Sequence, residues 1–186
     1  MQFKTDFLII GSGIAGLSLA IKLAPLGQVT VVTKKAESDT ATNLAQGGIA
    51  CVFGPDDSFD LQQQDTQRAG DGLCHEDIVK MIISQGPDRI RELDGLGLEF
   101  NRDPHNPDVL DLGREGEHSR RRIVHVGDFT GRSVQKVLMD SVDRLPSVKV
   151  FEDYVAIDLI TEGMIKAYSP GSKEKERCLG AYLLEV

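Results

Sequence analysis

The sequence predicts an α/β fold: a parallel sheet wound with helices, then a small antiparallel meander. Three observations point there. A continuous apolar run at residues 6–10 passes through a glycine-rich turn into a helical pattern and then into a β-branched stretch. A further β-branched run, Val148-Lys149-Val150-Phe151, follows a second helical pattern, as parallel strands joined by crossovers require. Short alternating stretches then crowd the end of the chain.

The elements follow in order. Residues 6–10 read as a parallel strand buried on both faces. From Ile14 to about Leu26, Leu17, Ala20, Ile21 and Ala24 form one apolar helical face, and Ala15, Gly16 and Ala20 are small enough for close packing on a sheet. Pro25 and Gly27 mark the end of this helix. Gln28 to Thr33 is the second parallel strand. A loop of mixed polarity, Ala36 to Ala50, precedes a helix from Ser58 to Gly70, with Ser58 as its cap and Asp60 in its first turn. A helix from Glu76 to Gln85 is expected to break or restart at Gly86-Pro87 and to continue from Asp88 to Leu93. Residues 94–128 read as mostly irregular, a length that suggests function. Thr130 to Leu145 is helical, with Val134, Val137, Leu138 and Val142 on one side, and Val148 to Phe151 is the third parallel strand. Tyr154–Thr161, Met164–Tyr168 and Cys178–Glu185 are the strands of the meander, joined by a turn at Glu162-Gly163 and a loop at Ser169–Glu176.

Composition narrows the function. The chain has 186 residues, 40% hydrophobic and 27% charged, enough for one domain with a core. A net charge of −8 argues against nucleic acid as a partner. Phe7 to Ala24 is apolar, but its glycines and the strand and helix periods place it in a core rather than a membrane. Cys51, Cys74 and Cys178 show neither metal-type spacing nor a disulfide framework, which fits a reducing cytoplasm.

Gly11-Ser12-Gly13-Ile14-Ala15-Gly16 satisfies the glycine fingerprint between a strand and a helix, where backbone N–H groups and the helix dipole face a pyrophosphate. It implies a dinucleotide without saying which. The acid that would accept the ribose hydroxyls, about 20 residues on, is replaced by Lys34, a donor only, with Glu37 as a nearby substitute. That weakens a simple nicotinamide-dehydrogenase reading and leaves a 2′-phosphate reader and a solvated strand end open. The paired glycines of Ala45-Gln46-Gly47-Gly48-Ile49-Ala50 suit either a flat ligand or an ordinary turn. Leu112 to Arg122 crowds Glu115 and Glu117 with Arg114, Arg120, Arg121, Arg122 and His118. Such a cluster suits a small substrate with carboxylate and ammonium groups, or else a solvated charge run. His118 and His125 read as hydrogen-bonding structural residues rather than acid–base groups, and Ser119 lacks a nucleophile elbow.

Taken together, these segments resemble the amino-terminal part of the L-aspartate oxidase family, a branch of the succinate dehydrogenase/fumarate reductase flavoproteins. The resemblance is carried by Ile9 to Ala20, Ala45 to Ala50, Arg114-Glu115-Gly116-Glu117-His118-Ser119, Arg121 to His125 and Asp128 to Arg132. It implies a Rossmann-like FAD-binding domain, incomplete at its C-terminus, over residues 1–186. FAD would be held through Gly11, Ser12, Gly13, Ile14, Ala15 and Gly16 at the pyrophosphate. Lys34 would stand at the ribose, and the backbone of Val155 and Ala156 at the adenine. Ala41, Thr42, Asn43, Leu44, Ala45, Gln46, Gly47 and Gly48 would line the flavin. Binding would be non-covalent, since the covalent flavoproteins of the family carry a histidine where this chain has Ala41. Glu115 would face the substrate amino group.

The implied reaction is oxidation of L-aspartate to iminoaspartate, with O2 or fumarate reoxidising the flavin and quinolinate synthase as a downstream partner in NAD biosynthesis. Where the family has Gly-Gly after the glutamate, this chain has Gly116-Glu117. Full-length relatives continue into a capping domain and a helical domain, so these residues alone are expected not to turn over aspartate. A soluble fumarate reductase or succinate dehydrogenase type of flavoprotein, and a non-catalytic nucleotide-binding module, are the alternative readings.

Overall fold

The computed structural model describes residues 2–165 and 177–186, and the chain divides into two units, Met1–Thr40 with Leu138–Val186 and Ala41–Val137. The first unit opens with β1 (Phe7–Ile10), α1 (Ile14–Leu23) and β2 (Val29–Val32). β1 and β2 are parallel and paired from Phe7↔Val29 to Ile10↔Val32. α1 ends at Leu23, earlier than its apolar pattern suggests. Pro25 has no N–H to continue the helical ladder, and Leu26 instead closes a turn onto the Leu23 carbonyl.

The second unit contains α2 (Ala41–Leu44), β3 (Ile49–Ala50), α3 (Phe59–Ala69) and α4 (Glu76–Gly95). There follow β4 (Arg102–Asp103), β5 (Asn106–Leu110), β6 (Leu112–Gly113) and β7 (Ile123–Val124), and then the start of α5 (Thr130–Asp143). As expected, Ser58 caps α3: its hydroxyl accepts from the Leu61 N–H at 3.2 Å. The expected interruption at Gly86-Pro87 does not occur, and α4 runs through Pro87. Gly86 has no β-carbon to clash with the proline ring, which removes much of the restriction on a residue before proline. Pro87 is itself buried, on the same face as Ile83 and Ile90. Nor are residues 94–128 simply irregular. β3, β7 and β6 form an antiparallel sheet, and β4 and β5 form a hairpin. These pieces are too short for sequence periodicity to reveal.

The chain returns to the first unit in the later turns of α5, then continues through β8 (Val148–Phe151), β9 (Tyr154–Thr161), α6 (Glu162–Ile165) and β10 (Cys178–Glu185). β8 lies beside β2 in parallel, giving the sheet order β1-β2-β8. Its core is Ile9, Leu17, Ala20, Val29, Val31 and Val32. β1 is not buried on both faces as its continuous apolar run suggests: Ile9 is buried, but Phe7 and Leu8 are half-buried and Ile10 is 52% exposed. β9 and β10 pair antiparallel, two of the three strands expected of the meander. The third, Met164–Tyr168, begins instead in the helical turn of α6; positions 166–168, and the loop at 169–176, lie outside the described residues.

Candidate functional site

In the first unit, the glycine turn joins β1 to α1. The Gly11 N–H donates to the Val32 carbonyl at 2.8 Å, and Gly11 has φ 109°, a conformation open to glycine. A β-carbon on residue 16 would stand 2.0 Å from the Gly11 carbonyl oxygen, so only glycine lets the helix begin this close to the strand. Gly13 is extended at the N-cap and gives α1 no side-chain cap, while Ile14 and Ala15 are exposed at its first turn. This end of the helix carries the positive end of its dipole. The Ser12 side chain turns inward: its hydroxyl lies 3.1 Å from the Thr33 hydroxyl and donates to the Glu37 carbonyl at 3.0 Å. It ties the loop after β2 to the turn.

Lys34 is exposed at the end of β2. Glu37 donates its N–H to the Glu152 carboxylate at 2.5 Å. Its own carboxyl is pushed up by partial burial and by the negative charges of Asp143 and Glu152. Val155 and Ala156 are half-buried in β9, paired with Leu184 and Leu183.

In the second unit, residues 41–48 are fixed at both ends. The Gly131 N–H donates to the Ala45 carbonyl at 3.1 Å, and a β-carbon on residue 131 would lie 2.0 Å from the Thr42 carbonyl oxygen. A β-carbon on residue 48 would meet Ile123 Cγ2 at 2.3 Å and the Val124 carbonyl oxygen at 2.5 Å. Between these anchors Leu44, Ala45, Gln46 and Gly47 are exposed, a strip of backbone held still with its surface uncovered. Over Gly47 stands Glu115, whose Oε1 is 2.9 Å from where a β-carbon on residue 47 would be. The loop of Glu115 and the residue Arg68 line an open cavity of about 630 Å³, with Arg114 to Ser119 forming the rest of its wall.

Beneath the cavity lies a charged network that sequence reading missed. In the sequence Arg122 belongs to one basic run with Arg120 and Arg121, for which a solvated face is one reading. The three differ. Arg120 Nε donates to the Asp56 carbonyl and Arg121 Nε to the Leu112 carbonyl, whereas Arg122 is completely buried. Its Nε and Nη2 donate to the two Asp57 oxygens at 2.9 and 2.8 Å, and its Nη1 to Asp65 Oδ2 at 2.9 Å. Nη1 also lies 3.4 Å from His118 Nδ1. Asp65 Oδ2 accepts in addition from the Ser119 N–H at 2.8 Å and hydroxyl at 2.7 Å. Burial works to raise the Asp65 pKa, but the Ser119 donors and the Arg122 charge prevail and bring it to about 2. The available signal was α3 itself: Gln62 and Asp65 occupy its buried positions where apolar residues belong, so the helix had to meet a buried polar partner.

Among the described residues, no group of three or more His, Cys, Asp or Glu side chains is arranged to hold a metal, and no helix is long and apolar enough to cross a membrane.

The family described as FAD binding domain matches residues 6–185. L-aspartate oxidase 2-b, chloroplastic, from Nicotiana tabacum is 46% identical over 157 residues, covering 84% of this chain and 24% of that protein. L-aspartate oxidase from Vibrio cholerae is 39% identical, covering 98% of this chain and 34% of that one. The chain therefore spans a quarter to a third of the length of these relatives. Among solved structures, a mutant FrdA of quinol fumarate reductase from E. coli superposes with a TM-score of 0.80 at 28% identity, over 87% of this chain and 28% of that one.

Proposed function

We propose, from the premise that this chain belongs to the FAD binding domain family, that it is the FAD-holding part of an L-aspartate oxidase. The cofactor is FAD, and the residues present suit it. In our reading the α1 amides behind Gly11 to Gly16 take the pyrophosphate, Lys34 stands at the ribose and the Val155-Ala156 backbone at the adenine. The segment from Ala41 to Gly48 lines the flavin. Position 41 carries no side chain able to bond covalently, so the flavin is released by acid. When bound, FAD supplies a hydride acceptor.

The observation that carries the substrate reading is Glu115 over Gly47. It sets a carboxylate against the backbone proposed to line the flavin. There it can hold an α-ammonium, while Arg114 and Arg68 on the same cavity supply positive charge for carboxylates. L-aspartate has both groups, and its oxidation gives iminoaspartate. O2 or fumarate serves as acceptor and quinolinate synthase uses the product on the route to NAD, in a cytoplasmic setting that the three free cysteines support. The oxidase reading itself is supported by the relatives' names, L-aspartate oxidase, at 39–46% identity.

The test is to purify the intact protein and add L-aspartate without oxygen. A yellow protein whose colour bleaches with aspartate and whose FAD is released by acid supports the proposal. A protein that takes up FAD, yet is bleached by no aspartate and reduced only in a fumarate–succinate couple, favours the fumarate reductase alternative. That alternative draws its support from the FrdA superposition.

A further inference from the structure

We propose that Asp65 is a positioning residue that holds the 114–119 loop so that Glu115 faces the cavity; this rests on the aspartate-oxidase reading. The argument begins with charge. Asp57 alone meets Arg122 through two hydrogen bonds, at Nε and Nη2, and both side chains are fully buried. A second carboxylate is not needed to neutralise one guanidinium. Two of the four hydrogen bonds that Asp65 accepts come instead from the loop. Oδ2 takes the Ser119 N–H and hydroxyl besides Arg122, and Oδ1 takes Arg68 Nη2 at 2.9 Å. Arg68 Nη2 in turn donates to the Glu117 carbonyl at 3.2 Å.

One buried carboxylate therefore reaches the loop at Ser119 directly and at Glu117 through Arg68. The hold has something to resist. Glu117 has φ 65°, a left-handed conformation that a residue with a β-carbon adopts only when its surroundings insist. Glu115 lies two residues before this strained point; further braces on the loop are Arg114 Nε to the His118 carbonyl at 2.8 Å and Arg120 Nη1 to the Ser119 carbonyl at 3.1 Å, both accepted downstream of Glu115 itself. Releasing Asp65 frees the C-terminal half of the loop and lets Glu115 swing off Gly47. Arg122 keeps its Asp57 partner, so the core of the unit is retained.

The test uses the intact protein with three readouts: amide hydrogen exchange, and calorimetric titration with L-aspartate and with succinate, which lacks the ammonium group. Asp65→Asn is expected to speed exchange at residues 115–119 by about tenfold or more while α1 is unchanged. Aspartate affinity is expected to fall about tenfold and succinate affinity less than twofold. In a double variant with Glu115→Gln, Asp65→Asn is expected to add no further loss, because its effect passes through Glu115.

Equal weakening of both ligands, or additive losses in the double variant, would assign Asp65 a merely structural role and overturn the proposal. Unchanged exchange at 115–119 would overturn it as well. If Asp65→Asn does not fold, Ser119→Ala removes the 2.7 Å hydroxyl donor without unpairing a charge and is judged by the same criteria. A wild-type protein that binds succinate and aspartate equally, with the loop still released by Asp65→Asn, sinks the aspartate reading and leaves the loop-holding role in place.

Discussion

The carboxylate of Glu115 occupies the space that a side chain on residue 47 would fill, with Oε1 2.9 Å from the position of that missing β-carbon. The neighbouring glycine is closed off differently: a β-carbon on residue 48 would strike Ile123 at 2.3 Å and backbone at 2.5 Å. Two adjacent glycines thus serve different ends.

From this contrast, Gly47→Ala is expected to leave stability within about 0.5 kcal/mol, because the end of a flexible glutamate can move aside. It should nevertheless weaken aspartate binding by displacing Glu115. Gly48→Ala is expected to destabilise the protein by about 1–3 kcal/mol through overpacking against β7. Denaturant titration and aspartate calorimetry on the two variants separate these outcomes. Equal stability loss in both would remove the distinction.

At the other glycine turn, Gly16→Ala places a methyl 2.0 Å from the Gly11 carbonyl oxygen and must push α1 away from β1. The purified variant should carry little FAD per chain and regain little on addition of free FAD. Full flavin content would contradict the role given to the turn.

The sequence made this first unit easy to read, because its signals are local. Strand β1, the glycine turn and β2 each announce themselves within a few residues, and Val148–Phe151 repeats the pattern of β2. What was hidden depended on distant partners. Nothing near Arg122 says that it meets Asp57 and Asp65 across more than fifty residues, and its neighbours Arg120 and Arg121 make it look solvated. Pro87 misled for the opposite reason. Its local rule predicts a break, and the buried face shared with Ile83 and Ile90 overrides it. The Glu115 segment was legible as chemistry, through its crowded charges, but its position over Gly47 was not.

Acid should act through Asp65. Its folded pKa lies near 2, below its ordinary 3.8, so its contribution to stability is complete above 3.8 and is lost as pH falls toward 2. Denaturant midpoints measured from about pH 5 down to pH 2 should fall less steeply in Asp65→Asn than in the wild type. Parallel curves would show that Asp65 carries no linkage.

Thiol chemistry offers an independent check on the second unit. Cys51 is 1% exposed and its thiol is pushed up to about 11 by burial, whereas Cys178 is exposed. Near neutral pH a maleimide should label Cys178 first and leave Cys51 unmodified until denaturant unfolds the chain. Early labelling of Cys51 would mean that its close packing against Gly86 of α4, where a β-carbon would lie 3.1 Å from the Cys51 sulfur, does not hold in solution.

The most direct test of the central claim is Glu115→Gln on the FAD-loaded protein, with aspartate and succinate compared as ligands in the same titration. If Glu115 holds the substrate ammonium, the loss of one charge-assisted hydrogen bond should weaken aspartate binding by at least about tenfold and leave succinate within about twofold. An equal change for both ligands would contradict the account, because Glu115 would then be no more than part of the cavity wall.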